Sequence, residues 1–219
     1  MKTVHLMIFD LDGTLVNTLE DITASVNFTL GRFGRQPLPA DAVRQYVGDG
    51  IDKLIMRAFG GADEVHAEAV ALYKEHHRRH FMDRSALYPG VAETLEAFSS
   101  VPLAVVSNKT REFVAPLLEG LGIARYFTSL VGADDGVALK PAPDAVLRIL
   151  AASGMQRESS VIVGDGTTDI RAGKAAGILT CAATYGFRTE EELRNAGPDF
   201  LIPRFADLKN LFSPGRCKP

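Results

Sequence analysis

The chain has 219 residues, of which 46% are hydrophobic and 23% are charged, and its formal net charge is −3. This balance excludes a fully disordered, collagen-like or coiled-coil chain, and a mildly acidic chain lacks the basic surface that binds nucleic acid. The length allows one large domain or a domain that carries a sizeable insertion.

The first apolar segment predicts a buried strand that ends in a polar loop. Residues 4–9 are apolar and stop at the turn sequence Asp10-Leu-Asp-Gly-Thr. A helical pattern then begins at Thr18, a residue suited to cap a helix, with Asp21 three residues later as an imperfect capping box. The apolar residues at helical spacing are Leu19, Ile22, Val26, Leu30 and Phe33.

Helical patterns continue to about residue 84, broken by turn sequences at residues 34–39 and 60–61. His76 and His80 lie four residues apart and could place two imidazoles on one helix face as metal ligands. Their charged neighbours and the lack of a third ligand nearby favour a solvated face, so we predict no zinc site there.

Strands and helices alternate from residue 88 onward. Strands are predicted at residues 103–106, 127–131, 160–163, 179–183 and 200–202, and helices at residues 111–121, 144–152 and 170–176. This alternation predicts an α/β fold with a parallel sheet flanked by helices. We expect a core domain of residues 1–16 and 86–219, and an inserted all-α domain, the helical block, of residues 17–85.

The cysteines and the apolar segments indicate a cytoplasmic protein that is not associated with membranes. Cys181 lies in an apolar run and Cys217 lies three residues from the end, which favours two free thiols over a disulfide. The first apolar run is too short for a signal peptide, and no later run has the length of a membrane span.

Polar side chains follow several of the predicted strands, where open α/β sheets bind their ligands. Converging carboxylates repel one another unless a cation lies among them, and Mg²⁺ accepts carboxylates, waters and phosphate oxygens. We therefore predict a Mg²⁺ site. The polar residues concerned are Asp10, Asp12, Ser107, Asn108, Lys109, Lys140, Asp165 and Asp169.

These residue types are suited to phosphoryl transfer, which needs positioning and charge neutralisation more than covalent chemistry. Asp10 would attack phosphorus and form an aspartyl-phosphate. Asp12 would protonate the leaving alkoxide and later take a proton from water. Taken singly, Asp-Leu-Asp-Gly could be a polar turn, Ser107 a helix cap and Lys140 a surface lysine; the prediction depends on their combination.

The chain resembles the haloacid dehalogenase superfamily, whose four motifs occur here in the family's order. The resemblance implies a Rossmann-like core with a helical cap inserted after the first motif. It also implies that Asp10 is the nucleophile and Asp12 the general acid and base, and that a second carboxylate favours phosphate chemistry over dehalogenation. The four motifs are Asp10-Leu-Asp-Gly-Thr-Leu15, Ser107, Lys140-Pro and Gly164-Asp-Gly-Thr-Thr-Asp169.

The same resemblance implies the ligands of the site. Phosphate would be bound by Ser107, Asn108 and Lys140. Mg²⁺ would be bound by Asp10, the backbone carbonyl of Asp12, and Asp165, with Asp169 as a further ligand or directly behind the ligands. Gly166 departs from the family, which commonly has serine there; Thr167 is a candidate to supply the missing hydroxyl.

Within the superfamily the sequence is most similar to phosphoglycolate phosphatases, in residues 46–54, 107–109 and 140–144. In the helical block, the turn at Gly48 and Gly50 is expected to face the site. Arg44 and Lys53 are candidates to bind a substrate carboxylate, although both could equally be solvated surface charges. We therefore predict a Mg²⁺-dependent phosphatase of small phosphate monoesters, with 2-phosphoglycolate as the first candidate substrate and with neither nucleic acid nor a membrane as a partner.

Several alternatives stay open at this point. A pyrophosphatase or a sugar-phosphate phosphatase would use the same motifs. A phosphosugar mutase would place a histidine at the start of the cap, and none occurs between His5 and His66. A phosphonate-cleaving relative would need a cap lysine, for which Lys53 is available. A receiver-like signalling domain would also form an aspartyl-phosphate, but receivers are shorter and lack a helical insertion. The oligomeric state is left open.

Overall fold

A parallel sheet with helices on both faces forms the centre of the molecule. The structure is a computed structural model that describes residues 1–61 and 64–215. Its elements, in chain order, are β1 (Lys2–Val4), β2 (Leu6–Phe9), β3 (Val16–Asn17), α1 (Leu19–Arg32), α2 (Ala40–Tyr46), α3 (Ile51–Ala58), α4 (His66–His80), β4 (Ala86–Leu87), α5 (Val91–Ala97), β5 (Leu103–Val106), α6 (Arg111–Gly120), β6 (Phe127–Val131), α7 (Asp144–Ser153), β7 (Ser160–Gly164), α8 (Thr167–Ala176), β8 (Leu179–Ala183), α9 (Glu190–Ala196), β9 (Phe200–Ile202), α10 (Leu208–Leu211) and β10 (Phe212–Pro214). Short 3₁₀ turns lie at Ala124–Tyr126, Arg157–Ser159 and Phe205–Asp207.

The central sheet has six parallel strands in the order β6-β5-β2-β7-β8-β9. Every residue of β2, β5 and β7 is buried, because helices cover both faces of the sheet, and this explains why these strands are continuous apolar runs. The strand order reverses beside β2. The C-terminal ends of β5, β2 and β7 therefore lie side by side at the topological switch point, where α/β folds bind ligands.

Side chains of successive strand residues enter different hydrophobic layers. Met7 and Phe9 pack in the layer that includes α5 and α6, whereas Leu6 and Ile8 pack in the layer that includes α7 and α8. This alternation follows from the two-residue period of a strand. The predicted α/β architecture is therefore confirmed.

The strand predicted over residues 4–9 is in fact two strands. Lys2–Val4 pairs in parallel with β10 in a separate two-stranded sheet, and only Leu6–Phe9 enters the central sheet. The chain changes sheets at His5, whose backbone N–H donates to the Ser159 carbonyl at 2.7 Å. Val4 and Leu6 are both buried, so the apolar pattern does not mark the break.

The helical block has an apolar core that consists mainly of residues from helices α1–α4, joined by Phe187 from outside the block. Leu30, Val26 and Tyr73 are among its fully buried members. The chain enters and leaves the block through β3 and β4, which pair antiparallel with Val16 opposite Leu87. On these grounds we propose the division into a core of residues 1–16 and 86–219 and the helical block of residues 17–85 as two domains.

The predicted capping box at the start of α1 is wrong. The Thr18 side chain makes no cap hydrogen bond and instead donates to Asp12 Oδ1 at 2.6 Å. Asp21 accepts hydrogen bonds from the backbone of Arg84 and from both the backbone and the hydroxyl of Ser85. Asp21 therefore ties α1 to the segment that leads out of the block.

The two histidines considered as metal ligands have other contacts. His76 Nδ1 lies 3.2 Å from the Ser25 hydroxyl, and His80 Nδ1 lies 2.8 Å from Asp83 Oδ2. Of the two cysteines, Cys181 is a buried free thiol in β8, and Cys217 lies outside the described residues.

Two glycine-to-alanine substitutions in helices should change stability in opposite directions. A Cβ on Gly173 in α8 would lie 2.5 Å from Ile162 Cγ2 and 2.6 Å from Thr180 Cγ2, so Gly173→Ala should lower the free energy of unfolding by about 1–3 kcal/mol. A Cβ on Gly31 in α1 meets nothing within 4 Å, so Gly31→Ala should raise it by about 0.5 kcal/mol. Urea unfolding measures both, and an equal change in the two variants would contradict the close packing of α8 on the sheet.

Candidate active site

The loop after β2 places two aspartates at the edge of the sheet. The Asp10 backbone N–H donates to the Val163 carbonyl at 2.9 Å and so continues the pairing of β2 with β7. Asp10 and Asp12 line the same cavity, whereas Leu11 between them is buried in the core. Gly13, at φ +83°, then turns the chain back in a conformation that favours glycine. The structure thus brings Asp10 and Asp12 together at this edge of the sheet.

Three carboxylates converge where β2 and β7 end. Oxygens of Asp10, Asp165 and Asp169 all lie within 4.8 Å of one another. The Lys140 ammonium lies 2.9 Å from Asp10 Oδ1 and 2.6 Å from Asp169 Oδ1. This lysine therefore contacts two of the three carboxylates, which leaves a surplus of negative charge. Hard oxygen donors with surplus negative charge fit a divalent cation such as Mg²⁺.

Burial and the charges of neighbouring carboxylates disfavour the ionised forms of Asp165 and Asp10. Burial, followed by the charges of Asp10 and Asp169, raises the pKa of Asp165 to about 8. Burial also raises the pKa of Asp10 to about 6, although the nearby Lys140 ammonium opposes this shift. Without a cation, Asp165 is therefore largely protonated at neutral pH, whereas a bound cation would favour its ionised form.

Lys140 remains charged despite its deep burial. Burial alone would lower its pKa, but the carboxylates of Asp10 and Asp169 raise the pKa above its usual value. Besides its contacts with these two carboxylates, its ammonium donates to the Val106 carbonyl at 2.8 Å. All three of its N–H groups thus have acceptors, and Lys140 stabilises the acidic cluster. Its binding to phosphate remains a prediction.

Asn108 positions Lys140 and also contacts the helical block. Its side-chain oxygen accepts from the Lys140 backbone N–H at 2.8 Å. Its side-chain N–H₂ donates to the carbonyls of Lys140 and Gly48, at 2.8 and 2.9 Å. The side-chain amide is thus used within the protein, and phosphate binding by Asn108 also remains a prediction. Ser107, beside it, lines the cavity with Asp10 and Asp12.

Glycine in the fourth motif allows the close approach of a carboxylate. A Cβ on Gly164 would lie 2.2 Å from Asp169 Cγ, a distance that no packed structure tolerates. The Gly166 backbone N–H donates to Asp169 Oδ2 at 2.9 Å. This bond fixes Asp169 at the start of α8, so glycine at position 166 still orients the acidic residue through its backbone. Thr167, the candidate hydroxyl, lines the neighbouring cavity.

Two adjoining cavities lie between the strand ends and the helical block. The smaller, of about 40 Å³, is lined by Asp10, Asp12, Ser107 and Lys109 and, from the block, by residues that include Gly48, Gly50 and Tyr73. The larger, of about 160 Å³, has Asp10, Asp12 and Asp165 on one side and Gln45, Asp49, Arg57 and Arg188 on the other. The volumes suit a small ligand, and the helical block forms one wall of each cavity.

The structure does not bring all of the predicted residues of the helical block to these cavities. Gly48 and Gly50 line the smaller cavity, as expected. Arg44 and Lys53 line neither of the two. Lys53 is exposed, and the Arg44 side chain forms an ion pair with Asp41 at 3.7 Å.

The sequence places Lys109 among the polar residues at the strand ends but gives it no partner; its Nζ lies 3.2 Å from Asp12 Oδ1. Sequence reasoning missed Thr14, whose hydroxyl donates to Asp165 Oδ1 at 2.9 Å. Thr14 lies within the first motif, which is the signal that could have found it. Arg57 and Arg188, which line the larger cavity, belong to no recognised motif, and the sequence carries no signal for them.

The sequence of the chain is similar to those of known hydrolases. A sequence model of the family described as haloacid dehalogenase-like hydrolase matches residues 7–183. The chain is 37% identical over 216 residues to phosphoglycolate phosphatase 1 of Pseudomonas aeruginosa, covering 93% of this chain and 78% of that protein. It is 35% identical over 214 residues to the phosphoglycolate phosphatase of Yersinia pseudotuberculosis, covering 94% and 92% of the two chains.

The fold has a solved counterpart. The crystal structure described as a predicted phosphoglycolate phosphatase from Haemophilus somnus 129PT superimposes with a TM-score of 0.91 at 30% identity, covering 96% of this chain and 99% of that chain. In the part of the chain that the structure describes, no helix combines the length and the apolar character needed to cross a membrane.

The raised pKa of Asp165 predicts how stability depends on pH in metal-free buffer. The pKa of this carboxyl is about 8 in the folded protein against an ordinary value of 3.8. The folded state therefore holds the proton more tightly, and the stabilisation this gives is lost as the pH rises from about 4 to about 8. Urea unfolding should show that wild type loses stability relative to Asp165→Asn across this window.

Added Mg²⁺ should abolish this relative loss, because a cation favours the ionised carboxylate. A stability difference between wild type and Asp165→Asn that is independent of pH in metal-free buffer would contradict the raised pKa of Asp165.

Proposed function

Because the chain belongs to the haloacid dehalogenase-like hydrolase family, we propose that it is a phosphatase that uses Mg²⁺ to hydrolyse a small phosphate monoester. The first candidate substrate is 2-phosphoglycolate. The observation that carries this proposal is the convergence of Asp10, Asp165 and Asp169 within 4.8 Å, with Asp12 lining a cavity beside Asp10. The phosphoglycolate phosphatases among its relatives support both the reaction and the substrate.

Asp10 is the nucleophile in this proposal. Lys140 occupies Asp10 Oδ1, which leaves Oδ2 to attack phosphorus in line with the departing oxygen. The attack forms the phosphorus–oxygen bond of an aspartyl-phosphate and breaks the bond to the alkoxide. With a pKa of about 6, Asp10 is mostly ionised at neutral pH, as a nucleophile must be.

Asp12 moves the proton in both half-reactions. In the first it gives a proton to the leaving alkoxide, and in the second it takes one from the water that attacks the aspartyl-phosphate. The Thr18 hydroxyl at 2.6 Å and the Lys109 ammonium at 3.2 Å hold its carboxyl group in place. These contacts also link the start of the helical block to the group that moves the proton.

The acidic cluster is suited to hold Mg²⁺. Asp10, the backbone carbonyl of Asp12, and Asp165 are the proposed ligands, with Asp169 beside them. When bound, the ion would neutralise charge on the transferring phosphoryl group. Ser107 lies at the end of β5 and lines the same cavity, and we assign it to bind the phosphate oxygens. Asn108 and Lys140 are assigned to the same phosphate site.

The helical block supplies the surface that contacts the rest of the substrate. The block covers the cavity on the side opposite the strand ends and would exclude bulk water while the phosphoryl group is transferred to Asp10. Arg57 and Arg188 line the larger cavity. Their guanidinium groups already have protein partners, since Arg57 pairs with Asp49 and Arg188 donates to the carbonyls of Arg44 and Val47. The choice of 2-phosphoglycolate, an anionic ester of a few atoms, therefore rests on the relatives.

Asparagine variants of the two aspartates should separate their roles. Asp10→Asn removes the nucleophile and should lower kcat/KM about 10⁴-fold or more for any ester. Asp12→Asn should lower kcat/KM about 10³-fold for 2-phosphoglycolate but much less for p-nitrophenyl phosphate, because nitrophenolate leaves without being protonated. Steady-state kinetics with Mg²⁺ measure both.

Asp83→Asn, a matched change at an exposed residue of the helical block, controls for the chemical substitution itself. Equal losses on the two esters in Asp12→Asn would argue against its acid role, and substantial turnover by Asp10→Asn would exclude the aspartyl-phosphate.

The proposed substrate is tested by a matched pair of esters. If the cavity binds a carboxylate, kcat/KM for 2-phosphoglycolate should exceed that for ethyl phosphate by roughly 10- to 100-fold, which is the value of one charge-assisted hydrogen bond. Pyrophosphate and glucose 6-phosphate, assayed in the same way, test the alternative functions of pyrophosphatase and sugar-phosphate phosphatase. A higher kcat/KM for either one would replace 2-phosphoglycolate as the substrate while leaving the phosphatase chemistry intact.

A further inference from the structure

We propose that residues 186–188, which we call the coupling segment, link the position of the helical block to the orientation of the Asp165 carboxylate. Phe187 and Arg188 would then be positioning residues for the metal site. The inference builds on the proposed function, because it concerns how the proposed Mg²⁺ ligand Asp165 is held. The segment follows β8 and lies outside the four recognised motifs.

One side of the coupling segment is in direct contact with Asp165. The Phe187 backbone N–H donates to Asp165 Oδ2 at 2.7 Å in a buried hydrogen bond. The Gly186 backbone lies so close that a Cβ there would be 2.2 Å from Asp165 Cβ. A displacement of this segment would therefore change both the hydrogen bonding and the packing of Asp165.

The other side of the segment is held by the helical block. The Phe187 ring is buried in the apolar cluster of the block, and all other fully buried members of that cluster in the described residues come from residues 19–73. The Arg188 guanidinium donates to the carbonyls of Arg44 and Val47, at 3.0 and 2.5 Å. These carbonyls lie at the C-terminal end of α2, where a cation is also favoured by the helix dipole.

Adjacent residues make the contacts with Asp165 and the contacts with the helical block, and Phe187 makes one contact with each. Its N–H orients the carboxylate while its ring is buried in the block. The block therefore cannot move away without pulling on the backbone that holds Asp165. By linkage, a ligand that requires this orientation of Asp165 stabilises the closed position of the block, and the closed block strengthens binding of that ligand by the same factor.

Arg188→Lys tests this coupling while keeping the charge. A lysine ammonium cannot reproduce the fork with which arginine spans two carbonyls. We expect the dissociation constant for Mg²⁺, measured by calorimetry on metal-free protein, to rise roughly fivefold. Hydrogen exchange in residues 40–47 should quicken, and the slowing of that exchange by Mg²⁺ in wild type should be lost. Arg194→Lys, in the exposed pair with Glu190 on the next helix, should match wild type in both measurements.

Arg188→Gln separates coupling from simple electrostatics. Arg188 lines the same cavity as Asp165, so removing its positive charge would by itself tighten the binding of a cation. The coupling predicts the opposite sign, namely weaker Mg²⁺ binding in this variant also. A tighter complex in Arg188→Gln, with unchanged affinity in Arg188→Lys, would overturn the proposal in favour of a charge effect.

The remaining outcomes are also decisive. If Arg188→Lys quickens exchange in residues 40–47 but binds Mg²⁺ as wild type does, Arg188 only holds the block closed and the coupling is wrong. If wild type itself binds no Mg²⁺, the metal requirement of the proposed function fails and the coupling fails with it. If wild type and Arg188→Lys bind Mg²⁺ with equal affinity, the coupling is overturned while the proposed metal requirement stands.

Discussion

The unequal number of buried positive and negative charges at the edge of the sheet is the constraint on which the site depends. Three carboxylates, those of Asp10, Asp165 and Asp169, converge there, and the buried ammonium of Lys140 contacts two of them, Asp10 and Asp169. Removing that many charges from water is costly unless each has a partner. The Thr14 hydroxyl and the Phe187 N–H partly compensate Asp165. The charge that remains uncompensated suits the cluster to the divalent ion that we propose for it.

The parallel sheet is what allows this charge to be concentrated. Adjacent strands β2 and β7 end at the same edge, so residues more than 150 positions apart in sequence become neighbours without any long polar loop. The strands themselves are buried on both faces and rigid. The acidic residues therefore begin where the regular hydrogen bonding stops, and small residues such as Gly164 leave the carboxylates the room they need.

Local sequence signals were sufficient to predict the strands of the central sheet, but not the break at His5 between β1 and β2 or the contacts between distant segments. Strands such as Leu103–Val106 are buried apolar runs bounded by turns, so the pattern fixes their position. Asp21 was misassigned because its true partners, Arg84 and Ser85, lie more than 60 residues away. Lys53 lies beside the buried Leu54 and Ile55 of α3, and the order of residues alone does not say which helix face meets the substrate. Arg188 contacts residues about 140 positions earlier, beyond the reach of any periodicity.

The short antiparallel pairing of β3 with β4 has a consequence for how such a protein can diversify. Because Val16 lies opposite Leu87, the chain enters and leaves the inserted helices at neighbouring points, and the order of strands in the sheet does not depend on these helices. Insertions, deletions or wholesale exchange of the intervening polypeptide would leave the acidic residues on their strands. New substrate preferences can therefore evolve on this scaffold while the inherited phosphoryl chemistry stays as it is.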